Sequence, residues 1–124
     1  DFTYIDDLVH GIRLLVDLIP GNEKCSDQIK TISTDSKSPV APFRVVNIGN
    51  SQSEKLLDFI LALEMALNLK ADIKFLPMQA GDVPTTWADN QLLQDLTGYG
   101  PSTNIMSGVS KFVSWYMGHY HGHH

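Results

Sequence analysis

Along the chain, stretches whose apolar residues recur every three or four positions alternate with stretches that break the rhythm. Leu8, Val9, Ile12, Leu15, Val16 and Ile19 fall at helical spacing before Pro20-Gly21 ends the run. Asp6 offers the side-chain oxygen that an N-cap needs, which predicts a helix over residues 6–19. Ser51 stands three residues before Glu54, the spacing of a capping box, and Leu56, Leu57, Ile60, Leu63 and Leu67 supply the buried stripe of a second helix. Asp89 opens a third, shorter helix with Leu92, Leu93 and Leu96 on one face and Gly98 as its stop. Beyond Pro101, the residues Ile105, Val109, Phe112, Val113 and Tyr116 mark a fourth, with Trp115 and Met117 beside the stripe.

Three short runs have strand composition. They are Phe2-Thr3-Tyr4-Ile5, then Phe43-Arg44-Val45-Val46-Asn47-Ile48 ahead of the turn residues Gly49-Asn50, and Ile73-Lys74-Phe75-Leu76 ahead of Pro77. Residues 22–42, rich in Asn, Ser, Thr, Asp and Lys, read as a long surface loop. Residues 78–88, with Gly81 and Pro84, read as an irregular connection of the kind that carries binding residues. No internal repeat is visible.

Size and charge narrow the function classes. The 124 residues suffice for one domain with a packed interior. Nine Lys and Arg stand against fourteen Asp and Glu, a net charge of -5, which disfavours a grip on nucleic-acid phosphates. Cys25 is the only cysteine, so neither a disulfide nor a cysteine-based metal site can form within the chain, and a reducing compartment is expected. The most apolar stretch, 56–69, is interrupted by Asp58, Glu64 and Asn68 and falls short of the roughly 20 apolar residues of a bilayer span, so a soluble protein is expected. The chain opens at Asp1 without a leader and is expected to be cut from a longer one. His119, His121, His123 and His124 crowd its other end in residues 119–124. Neutral imidazoles at such spacing suit Zn, Ni or Cu, and a disordered tail or purification remnant is the competing reading.

Candidate chemistry is sparse. The sequence has no Gly-x-Ser-x-Gly, Gly-x-Gly-x-x-Gly, Walker, His-Glu-x-x-His or Tyr-x-x-x-Lys pattern, and taken alone it looks non-catalytic. Asp6 and Asp7 read as cap and dipole partners, and His10 reads as a packing residue beside an apolar stripe. The segment 77–84 places the Gln79 amide, the flexible Gly81 and the Asp82 carboxylate within four residues on a loop. That chemistry suits a polar ligand, and it equally suits a turn in which Asp82 bonds its own backbone.

The order of segments carries more. Asp1-Phe2-Thr3-Tyr4-Ile5-Asp6-Asp7, Val46-Asn47-Ile48-Gly49-Asn50, residues 78–89, Gly98-Tyr99 and Lys111-Phe112-Val113-Ser114-Trp115-Tyr116 resemble the C-terminal third of NAD-dependent UDP-glucuronate 4-epimerases. These are extended short-chain dehydrogenases/reductases. The resemblance implies an α/β class and, for this chain, the substrate-binding portion over residues 1–118, mostly helical with a few short strands and lacking the N-terminal Rossmann domain. It implies that NAD and the Tyr-x-x-x-Lys pair belong to that other portion, and that this chain alone is inactive and holds no cofactor. Its partners would be a UDP-sugar, the Rossmann portion and further copies of itself, with neither nucleic acid nor membrane involved. The setting would be cytoplasmic synthesis of surface-polysaccharide precursors. By the same resemblance Gln79 stands where many relatives carry an Arg toward the diphosphate, Asp82 where a carboxylate meets the nucleotide, Phe2 at an aromatic position near it, and Asn50 in a turn facing the ligand. No catalytic or metal-binding residue is implied. The rival reading is a non-enzymatic interaction domain that uses Trp115 and Tyr116 on its last helix.

Overall fold

The computed structural model describes residues 1–21 and 35–120. They form four helices, α1 (Ile5–Val16), α2 (Leu56–Leu67), α3 (Gln91–Thr97) and α4 (Ile105–Tyr120). The chain divides into two compact units, one of Asp1–Gln52 with Trp87–Ser102 and the other of Ser53–Thr86 with Thr103–His124.

In the first unit α1 packs on α3. Leu93, on α3, is the one large side chain fully removed from solvent among the described residues. Gly11 is buried on α1 because the Ile48 side chain and the Tyr99 ring fill the space where a Cβ would project. Tyr99 donates its hydroxyl proton to the main-chain carbonyl of Asp7 at 3.2 Å, and the Asp7 carboxylate accepts the Ser102 N–H at 3.0 Å. Asp7 thus ties the segment after α3 to the first turn of α1.

The second unit pairs α2 with α4 around Ala62, Val109 and Val113, with Phe59, Leu63 and Ile105 against them. Ala62 is the small residue at the contact, and Gly108 is buried on α4 beside Val109. Beyond α2, Asn68 sits at φ 52 in the left-handed region, and the Glu64 carboxylate accepts the Ala71 N–H at 2.8 Å and the Lys70 ammonium at 2.7 Å. Glu64 thereby satisfies donors just past the helix end.

Several local expectations are corrected. α1 begins at Ile5 with Tyr4 as its N-cap, so Asp6 lies in the first turn, where its charge favours the helix dipole, and the helix ends at Val16. The Ser51/Glu54 capping box does not form. α2 begins at Leu56 after Lys55, because Ser51 is held at φ 55 with its hydroxyl donating to the Ala88 carbonyl at 2.6 Å. Asn90 is the residue before α3 and its side chain makes no capping bond, while the Asp89 carboxylate accepts the N–H of Gln91, the first residue of the helix, at 2.9 Å, as expected of it. The Gly98 stop is present at φ 70, and α4 follows its apolar pattern through His119 and Tyr120.

The class seen is helical, and no strand is present among the described residues. The runs 2–5, 43–48 and 73–76 have strand composition but no ladder, and a strand exists only where its N–H and C=O groups meet a neighbour. Residues 43–48 still alternate, with Arg44, Val46 and Ile48 half-buried and Phe43, Val45 and Asn47 exposed. Ser36 supplies the hydrogen bonds a neighbouring strand would give. Its hydroxyl accepts the Val45 N–H at 3.0 Å and donates to the Val45 carbonyl. Of the expected loop 22–42, residues 35–42 are described and irregular, and the rest lies outside the described residues.

Candidate functional site

The polar centre of the first unit is the Asp1 carboxylate. One oxygen accepts the Asn50 N–H at 3.2 Å and the Thr3 hydroxyl at 3.4 Å; the other accepts the N–H groups of Ser51 at 3.1 Å and Ala88 at 2.9 Å. Ion-assisted bonds to main-chain donors are among the stronger ones a carboxylate makes. They pin the turn after the 43–48 run to the segment entering α3. Asn90 adds a second tie, its buried amide donating to the Gly49 carbonyl at 3.2 Å. Gly49 has no room for a side chain, since a Cβ there would stand 2.5 Å from the Ala88 Cβ and 3.1 Å from an Asp1 carboxylate oxygen.

Asn50 is buried in this cluster, and its N–H is shared between Asp1 and the Thr3 hydroxyl. Phe2 follows Asp1 in sequence and is 36% exposed. In the second unit, Gln79 and Asp82 face each other across a turn in which the Asp82 N–H donates to the Gln79 carbonyl at 3.2 Å. Gly81 takes φ 97 there, which a glycine adopts without strain, and both flanking side chains are exposed. The structure thus brings Asn50 together with Asp1 and Gln79 together with Asp82. The turn presents one amide, able to donate and accept, and one carboxylate, able only to accept.

The carboxylate hub was invisible to the sequence. Its main-chain donors lie 49 to 87 residues from Asp1, beyond the reach of any spacing rule. Asp6 and Asp7 are structural as expected, and His10 packs edge-on against Tyr99 with ring centroids 4.6 Å apart. Burial, followed by the nearby Asp7 charge, pushes the Tyr99 hydroxyl above the ordinary tyrosine value and keeps it a donor. No group of three metal-ligating side chains occurs among the described residues. Of the terminal histidines, His119 stacks on Trp115 at 5.6 Å, and His121, His123 and His124 lie outside the described residues.

No family model matches the chain. Individual proteins do. A probable UDP-glucuronate 4-epimerase of Rhizobium meliloti (strain 1021) is 45% identical over 124 residues, all of this chain and 36% of the relative. The chain is homologous to a C-terminal part of the UDP-glucuronate 4-epimerases. UDP-glucuronate 4-epimerase 4 of Arabidopsis thaliana is 37% identical over 123 residues, 98% of this chain and 26% of that epimerase. Protein CapI of Staphylococcus aureus is 38% identical over 121 residues, 97% of this chain and 35% of that protein. The chain therefore spans about a third of the length of the epimerases and related proteins it matches.

Proposed function

We propose that these residues form the sugar-nucleotide side of an NAD-dependent UDP-glucuronate 4-epimerase, with redox chemistry completed by a Rossmann portion outside them. The observation that carries this reading is the 45% identity to a protein of that name over every residue of the chain but only 36% of the relative. Among the described residues, the turn at Gly49 does not fit NAD. A dinucleotide turn needs glycines whose bare backbone approaches a pyrophosphate, whereas the space beside Gly49 is filled by Ala88 and by the Asp1 carboxylate, which repels phosphate. Among the described residues no helix is long and apolar enough to cross a membrane, and we place the activity in the cytoplasm, on the route to surface polysaccharide precursors.

In this reading the turn at Gly81 meets the nucleotide. The Gln79 amide donates to a diphosphate oxygen, and the Asp82 carboxylate, which phosphate would repel, accepts from ribose hydroxyls. Taken by itself, the first unit offers Phe2, 36% exposed, as an apolar edge for a base, with Asn50 holding the turn after the 43–48 run. The run 43–48, alternating in burial and without a strand partner among the described residues, joins a neighbouring sheet in the larger protein and gives it α/β character.

Calorimetric titration with UDP and UDP-glucuronate tests the reading. Binding that Asp82→Ala and Gln79→Ala weaken is expected, with no epimerisation by this chain alone when NAD is added. Unchanged binding in both variants rejects the assigned turn. Failure to bind when the chain is joined to the remaining two thirds or so of the Rhizobium relative rejects the function. The exposed aromatic group on α4, with Trp115 57% exposed and tilted against Phe112 at 5.9 Å, favours a second reading as a protein-interaction surface. Partner capture lost on Trp115→Ala, without any UDP binding, would select it.

A further inference from the structure

We draw no further inference here: the strongest candidate, the exposed aromatic patch of Phe112, Trp115 and Tyr120 on α4, is the surface of the second reading above, and nothing in the structure shows what covers it.

Discussion

Replacing Gly49 by alanine probes the contact that closes the first unit. The added Cβ would stand 2.5 Å from the Ala88 Cβ, and ordinary contact begins at 3.4 Å, so one backbone or the other must retreat by about 0.9 Å. Neither neighbour is the free end of a flexible side chain. Ala88 is held by its N–H on Asp1 at 2.9 Å and by its carbonyl on the Ser51 hydroxyl at 2.6 Å, and retreat strains both bonds. Overpacking of about 1–3 kcal/mol, plus about 1 kcal/mol from weakened hydrogen bonds, gives an expected loss of about 2–4 kcal/mol. That is a large share of the roughly 5–15 kcal/mol of a small domain. Urea unfolding followed by the fluorescence of Trp87, the residue before Ala88, measures it. Ala88→Gly removes the colliding atom, so the double variant should regain most of the loss. Gly118→Ala on α4 meets nothing within 4 Å and should be neutral or stabilise by up to about 1 kcal/mol. A Gly49→Ala protein within about 0.5 kcal/mol of the original, or no recovery in the double variant, would refute the reasoning.

Substitutions at three other positions test separate parts of the structure. The Arg44 guanidinium, bound to Asp35 through two nitrogens at 2.8 and 2.9 Å, holds that carboxyl below the ordinary carboxylate value of 3.8. Its stabilisation is complete above that value and is lost as pH falls from there through the lower folded-state pKa, so Asp35→Asn should flatten the acid limb of a stability curve and cost about 1–3 kcal/mol at neutral pH. Asn68→Gly, at φ 52, should leave the melting temperature of α2 unchanged or raise it, whereas Asn68→Val should cost about 1–2 kcal/mol by thermal circular dichroism. Gln79→Arg adds a charge-assisted donor to the exposed turn and should tighten UDP about tenfold in calorimetry, an effect that salt reduces.

The helices were legible because their apolar periodicity is strong and their stops are chemically explicit. Gly98 ends α3 in the left-handed conformation, and Ile105, Val109 and Val113 meet Ala62 on the face the pattern marks. The start of α2 was misread at Ser51 for a physical reason. A short polar side chain can cap a helix or bind a distant backbone, and Ser51 is claimed by Ala88, 37 residues away. The runs read as strands keep strand composition, but pairing is a property of a neighbour and cannot be inferred from one run alone. Of the candidate site, the turn at Gly81 was legible because glycine, amide and carboxylate are contiguous. The Asp1 hub was not, since only folding brings its donors together.

The first unit is assembled from two stretches with residues 53–86 between them, and the bond from Ala88 to Asp1 joins positions 87 apart in sequence. On the ribosome, α1 therefore emerges long before α3 exists to cover it. At typical synthesis rates the delay is on the order of ten seconds, and the greasy face of α1 that packs on α3 stays bare throughout. A chaperone that binds apolar helix faces has its window on the Leu8, Gly11 and Leu15 face, and that window shuts once Leu93 arrives. For the same reason a nick within residues 53–86 leaves the unit as two pieces held by contacts alone, a direct route to studying it by mixing separately made halves.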